Sequence, residues 1–243
     1  MSIDKKIETP AKQSGFLLAD KPAGWTSFDV VAKLRGITGV KRIGHAGTLD
    51  PFATGLLIVA IGREATRKID GFMKLDKTYE PTIYLGATST TDDITGDIKQ
   101  CDAISVGEKK WSREEIEKTM QKFIGTFEQI PPMFSAIKQN GRRLYKMARA
   151  GKVVERKPRA ITIHKIYLLK YEWPALILRI KCGSGTYIRA LARDLGETLG
   201  VGGYCETLRR LQIGGYDVKD AWPIEKFTHE NWQTRLLKEN NTE

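Results

Sequence analysis

The chain of 243 residues is long enough to bury a substantial core, and its formal charge of +11 favours a polyanionic partner, nucleic acid ahead of an anionic membrane. No apolar run approaches the roughly 18 residues that a membrane span requires, and the polar stretch from Met1 to Ser14 has no signal-peptide centre, so a cytoplasmic protein is expected. Three cysteines without a close pair and three widely separated histidines give neither a disulfide framework nor a zinc-ligand spacing, and no metal or cofactor is expected.

Residues 1–14 read as a flexible lead-in, with order expected to begin near Phe16. Phe16 to Asp20 predicts a short strand, and Lys21-Pro22-Ala23-Gly24 is turn chemistry ahead of Thr26. Thr26 with Asp29 three residues on resembles a capping box. Val30, Val31 and Leu34 then supply an apolar helix face, and Gly36 is the expected stop. Lys21, beside its turn, is either a solvated lysine or a contact to an RNA phosphate.

The stretch from Gly44 to Gly55, Gly-His-Ala-Gly-Thr-Leu-Asp-Pro-Phe-Ala-Thr-Gly, looks built for chemistry. Gly44, Gly47 and Gly55 permit backbone conformations closed to other residues and let something flat approach the main chain. Pro51 fixes its own backbone angle and biases Asp50 toward an extended conformation, which holds that carboxylate in a defined direction. A plain structural turn with a satisfied His45 accounts for the same residues. The apolar run from Leu56 to Gly62 anchors the loop as a buried strand.

Arg63 to Ile69 suits a short helix, and Lys77 to Leu85 alternates as a strand with Tyr79 and Ile83 on one face, where Tyr79 reads as a core aromatic. Asp92, Asp93 and Asp97 lack calcium-loop spacing and read as solvated turn residues. Ser112 and Glu115 form a capping box, and Trp111 and Ile116 a hydrophobic staple, for a helix that Gly125 ends. Nine basic residues then follow, Lys138, Arg142, Arg143, Lys146, Arg149, Lys152, Arg156, Lys157 and Arg159, against the single acid Glu155. That imbalance marks a segment that grips a nucleic-acid backbone, with a merely solvated basic face as the alternative. Arg142, Arg143, Lys146 and Arg149 lie on a helix expected from Arg142 to Ala150 and closed by Gly151.

Ala160 to Lys170 and Leu176 to Cys182 predict a hairpin that runs into Gly183-Ser184-Gly185-Thr186-Tyr187-Ile188-Arg189. The helix that follows carries one stripe of Ile188, Leu191, Ala192, Leu195 and Leu199. Arg189 near its start opposes the helix dipole, so an anionic partner such as a carboxylate is expected. Leu208 to Ile213 predicts a last strand. Trp222, Ile224, Phe227, Trp232, Leu236 and Leu237 suit one docked helix in the tail.

Four separated segments, in this order, resemble the TruB family of tRNA pseudouridine synthases. They are Gly44 to Leu57; Lys77-Thr78-Tyr79 with Leu85-Gly86; Pro131-Pro132-Met133-Phe134-Ser135-Ala136-Ile137-Lys138 with Gly141 and Tyr145, similar to the family's thumb insertion; and Gly185-Thr186-Tyr187-Ile188-Arg189 with Leu208-Arg209-Arg210. The resemblance implies conversion of uridine to pseudouridine at conventional position 55 in the T-loop of tRNA, on a flipped-out base and without a cofactor. It implies that Asp50 is the catalytic carboxylate, attacking the ribose C1′ or assisting through a glycal. Arg189 would pair with Asp50 and keep it ionised by lowering its pKa. Tyr79 would stack on the base and assist proton removal from C5, Tyr187 and Leu208 would line the pocket, and His45 would support the opened T-loop. Ser89-Thr90-Thr91-Asp92-Asp93 departs from the family's usual Thr-Asp-Thr-x-Asp, and no role is assigned there.

The fold this implies is α+β, the pseudouridine synthase fold, with a mixed, largely antiparallel central sheet flanked by helices. The catalytic domain is expected over 15–216, its thumb insertion over about 126–158, and a short tail over 217–243 in place of a full C-terminal RNA-binding domain. The protein is expected to act on the T-arm of tRNA as a monomer, with no membrane and no obligatory protein partner. Two rival functions stand beside this one. A non-catalytic tRNA-binding or folding protein would make Asp50 dispensable. A glycosidase-like hydrolase would need a second carboxylate, and none accompanies Asp50 in its loop.

Overall fold

The structure, a computed structural model, describes residues 14–101, 111–135, 137–139, 141–149 and 154–237. In chain order it begins with β1 (Gly15–Lys21), α1 (Ser27–Thr38), β2 (Ile43–Ala46), β3 (Thr54–Ile61), α2 (Gly62–Arg67), α3 (Ile69–Lys74) and β4 (Lys77–Leu85). There follow β5 (Ala87–Ser89), β6 (Ile98–Gln100), α4 (Arg113–Gln121), β7 (Gly125–Gln129), β8 (Lys138–Gln139), β9 (Arg142–Arg143) and α5 (Leu144–Arg149). The last elements are β10 (Arg159–Glu172), β11 (Ala175–Cys182), α6 (Ile188–Leu199), β12 (Gly203–Ile213), β13 (Tyr216–Asp217) and β14 (Trp222–Pro223).

Strand β3 explains the layering. Every residue from Leu56 to Ile61 is buried, and a strand so composed needs cover on both faces. Leu57, Val59 and Ile61 pack with Val30, Val31 and Leu34 of α1, whereas Leu56 and Ile58 pack with Ile213 and Phe72. The main sheet runs β14-β1-β3-β12-β4-β11-β10-β7, with β2 added on β3 and β13 on β12. Its pairs are mostly antiparallel, but β12 runs parallel to β3 through Arg209↔Thr54 and Arg210↔Gly55. That insertion brings Leu208 and Arg210, from late in the chain, beside the loop that precedes β3.

Helices α4 and α6 cover the face of the sheet that carries Ile83, Ile163, Leu178 and Ile180. The predicted stripe of α6, Ile188, Leu191, Ala192, Leu195 and Leu199, is buried there throughout. Each large aliphatic side chain so placed contributes roughly 1.5–3 kcal/mol relative to exposure, more than any helix propensity. A Cβ on Gly196 would lie 2.2 Å from Gly203 N, so the α6 backbone rests directly on the first residue of β12.

Several boundaries differ from expectation. Thr26 caps α1 through the capping box, but the helix passes Gly36 and ends at Gly39, whose φ is 65°. Ile37, buried beyond Gly36, accounts for the extra turn. The residues after β3 form two helices where one was expected. Arg142 and Arg143 lie on β9, paired with β8, so the helix begins only at Leu144; Gly151 falls outside the described residues. Gly125 opens β7 rather than ending α4, whose cap is Lys122. Strand β12 starts at Gly203 rather than Leu208. The tail docks Trp222, Ile224, Phe227, Trp232 and Leu236 onto the α1 side of the sheet, through β14 and short 3-10 turns rather than an α-helix. Among the described residues no helix is long and apolar enough to cross a membrane.

Candidate active site

Asp50 sits on the loop between β2 and β3, and that loop is pinned from several sides. Leu49 N donates to Ser27 Oγ at 2.8 Å, and Ser27 Oγ donates to Leu49 O at 3.2 Å. Gly24 N donates to Pro51 O at 2.8 Å. Gly55 closes the loop at φ 105°, where a Cβ would lie 2.3 Å from Arg210 O, so both its conformation and its packing exclude a side chain. Lys21 is fully buried behind the loop, and its Nζ donates to Pro22 O, Trp25 O and Pro51 O at 2.9, 2.6 and 3.3 Å. The expectation of a solvated or phosphate-touching lysine is thus corrected: this ammonium ties turn and loop together. Burial lowers its pKa to about 8, opposed by the attraction of Asp50.

Arg189, the second residue of α6, reaches Asp50 with two nitrogens: Nε lies 2.9 Å from Oδ2, and Nη2 donates to Oδ1 at 3.2 Å. The hydrogen bond from Nη2 together with the close Nε contact fixes the carboxylate in orientation as well as charge. The same guanidinium contacts Asp93 Oδ2 at 3.1 Å and donates to Thr91 O at 2.9 Å and Phe134 O at 2.8 Å. Asp93, expected to be solvated, is buried, and accepts from Thr91 Oγ1 and from the Thr95 backbone and hydroxyl. Asp92 pairs with Arg193 at 3.0 Å. The acid turn is therefore the counter-charge of α6, which holds a cation at its N-terminus against the dipole.

Burial pushes the Asp50 carboxyl above its ordinary value; Arg189 opposes that shift and Asp93 adds to it. Arg189 does act to lower the Asp50 pKa, as expected, but desolvation outweighs the ion pair. Burial also lowers the His45 pKa, with the charge of Arg210 acting in the same direction, so its imidazole is held neutral.

A cavity of about 280 Å³ opens beside the ion pair, lined by Asp50, Tyr79, Tyr187, Arg189, Leu208 and Arg210 among others. Tyr79, on β4, packs against the main core cluster, and burial raises its phenol above the ordinary value. His45, on β2, is not part of this lining. A second cavity of about 640 Å³ adjoins the first across Asp50, Phe134, Ser135 and Arg189 and is walled by Phe52, Thr90, Thr95 and Asp97. The basic segment leaves the body next to this site: Phe134 O is held by Arg189, Ile130 O by Arg193 at 3.0 Å, and Pro131 O by Arg156 at 3.1 Å. Arg142 and Arg143 lie on β9, and Lys146 and Arg149 on α5, but their side chains fall outside the described residues. Among the described residues no cluster of His, Cys, Asp and Glu is placed to hold a metal ion.

The site thus joins a carboxylate held by an arginine to a cavity lined by two tyrosines, on a mixed and mostly antiparallel sheet. Residues 35–188 match the TruB family pseudouridylate synthase N-terminal domain, and residues 189–240 match the tRNA pseudouridylate synthase B C-terminal domain. A tRNA pseudouridine synthase B of Protochlamydia amoebophila is 45% identical over 240 residues, covering 98% of this chain and 89% of its own length. One of Gloeothece citriformis is 44% identical over 225 residues, covering 91% and 71%. A solved Cbf5-Nop10-Gar1 complex matches with a TM-score of 0.68 at 28% identity, over 88% of this chain and 53% of the matched chain. The chain belongs to the TruB family of pseudouridylate synthases.

Proposed function

We propose that the protein isomerises a uridine of tRNA to pseudouridine, the T-loop uridine at conventional position 55. The observation that carries this reading is the two-nitrogen grip of Arg189 on Asp50 at the mouth of the tyrosine-lined cavity. The target base, flipped from its stack, enters that cavity against Tyr79. Asp50 acts at the ribose as the N1–C1′ bond breaks, the base turns, and a C5–C1′ bond forms. The balance closes with the Tyr79 phenol giving its proton to N1 and taking the C5 proton in its place, so that the tyrosine ends as it began. Arg189 contributes by holding Asp50 in one orientation before the substrate arrives, so little reorganisation remains for the reaction step. The larger adjoining cavity gives room to nucleotides next to the target, and the basic segment holds the RNA backbone of the T-arm.

Asp50→Asn tests this. The variant keeps shape and loop hydrogen bonding but loses charge and nucleophilicity, so RNA affinity stays within a few fold while pseudouridine formation vanishes. Asp50→Ala is measured beside it under single-turnover conditions, because asparagine deamidates to aspartate. Product formation by the alanine variant at a near wild-type rate would move the reacting group elsewhere.

A further inference from the structure

Four buried cations, Lys21, Lys77, Arg189 and Arg210, surround the Asp50 loop and its cavity. Three are committed elsewhere. Lys21 serves three carbonyls at the back of the loop, and Arg189 serves Asp50 and Asp93. Lys77 Nζ donates to Met73 O and Leu75 O, both at 2.6 Å, at the end of α3. Arg210 is placed differently. It stands directly opposite Tyr79 in the antiparallel pairing of β12 with β4, and both side chains line the same cavity. Cross-strand partners have Cβ atoms about 4.5–5.5 Å apart and share a face of the sheet. The guanidinium is locked from behind, with Nε donating to Leu56 O at 2.8 Å and Nη2 to Gly47 O at 3.1 Å. Arg210 therefore bonds the strand that follows the Asp50 loop and the loop itself, and stands across from the tyrosine.

We propose that Arg210 is the positioning residue of Tyr79, holding its hydroxyl in place and stabilising negative charge on its oxygen while it takes the C5 proton. This rests on the reaction proposed above and adds to it the residue that makes a buried phenol a usable base. The groups facing the Tyr79 phenol support this division of labour. Burial raises its pKa foremost, Arg210 opposes that through charge and hydrogen bonding, and Cys182 and Asp50 add to the rise. Arg210 is thus the group among these that favours the phenolate. In the step itself the C5–H electron pair restores the C5–C6 double bond of the reattached base. The phenol proton passes to N1, Arg210 stabilises the phenolate so formed, and the C5 proton then passes to the tyrosine oxygen, which restores the phenol.

The test is the rate of Arg210→Gln and Arg210→Lys with RNA whose target uridine carries deuterium at C5. Loss of the cation slows single-turnover pseudouridine formation by about tenfold to a hundredfold, less than the roughly 10²–10⁴-fold that a general base itself contributes, with RNA affinity little changed. The slowed step is proton removal, so a deuterium effect appears that is absent or smaller in the wild type. Lysine restores part of the rate and reduces that effect. A merely structural role would displace the Asp50 loop, slow breakage of the N1–C1′ bond and leave the deuterium effect unchanged, and that result would overturn the proposal. If the glutamine variant fails to fold, the lysine variant decides the matter by the same signature. Failure of the proposed reaction would be seen separately, as wild-type protein that forms no pseudouridine.

Discussion

The side-chain amide of Gln129 closes a two-bond ring with the backbone of Tyr187: Gln129 Nε2 donates to Tyr187 O at 3.1 Å, and Tyr187 N donates to Gln129 Oε1 at 3.0 Å. Gln129 ends the edge strand β7 and is buried, and Tyr187 is the N-cap of α6 with no side-chain capping bond of its own. One amide thus clasps both polar groups of the Tyr187 backbone, just ahead of the first helical residue. It also joins the root of the basic segment to the residue two before Arg189.

Gln129→Leu removes both bonds and leaves Tyr187 N–H without its partner, at about 1–3 kcal/mol if it is buried, whereas Tyr187 O keeps the bond from Leu191 N at 3.1 Å. Urea unfolding should show that loss. Single-turnover rate should fall more than RNA affinity, because Tyr187 and Arg189 lose their common anchor. Gln129→Glu keeps the acceptor for Tyr187 N–H and should fall between. A leucine variant with unchanged rate and stability would show the ring to be incidental.

Asp93→Asn separates the two carboxylates that share Arg189. The charge of Asp93 adds to the upward shift of the Asp50 pKa, so its removal lowers that pKa. The proposed reaction needs Asp50 ionised, so the acid limb of the rate profile should move to lower pH. The plateau rate should fall as well, since Arg189 loses a partner at 3.1 Å. Movement of the limb to higher pH would mean that Arg189 had released Asp50 instead.

Lys21 makes stability depend on pH. Its folded pKa of about 8 lies below the ordinary 10.5, so between these values the unfolded chain holds a proton that the folded chain lacks. Stability rises with pH through that window, at up to about 1.4 kcal/mol per pH unit, and is unaffected by this group below it. The difference in unfolding free energy between wild type and Lys21→Met, measured just below pH 8 and again near 10.5, should therefore shift in favour of the wild type. A difference that stays constant would show that Lys21 titrates normally.

The strands and the Asp50–Arg189 pair were legible because their signals are local. Aliphatic alternation marked β4, β10 and β11, and a cation at a helix start called for a carboxylate. Asp93 was not legible, since its burial comes from Arg189, distant in sequence, and nothing in an acidic turn distinguishes it from a solvated one. Lys21 misled for a similar reason: a turn lysine looks alike whether its ammonium meets water or three carbonyls. Arg210 did leave a trace. Strand alternation puts Leu208 and Arg210 on one face, so a pocket-lining Leu208 already required an inward arginine. Gln129 left none, because an amide that clasps a backbone across the fold has no sequence spacing to mark it.

The contact between Gly196 and Gly203 gives α6 a fulcrum. Arg189 lies seven residues away along a rod that rises about 1.5 Å per residue, so the helix is a lever roughly 10 Å long with the guanidinium at its tip. A methyl group at the fulcrum would tilt the whole arm, and a small angle there becomes a displacement of the order of an ångström at Asp50. The placement of the Asp50 carboxylate is therefore set partly at the fulcrum, away from the ion pair itself, by the absence of a single side chain.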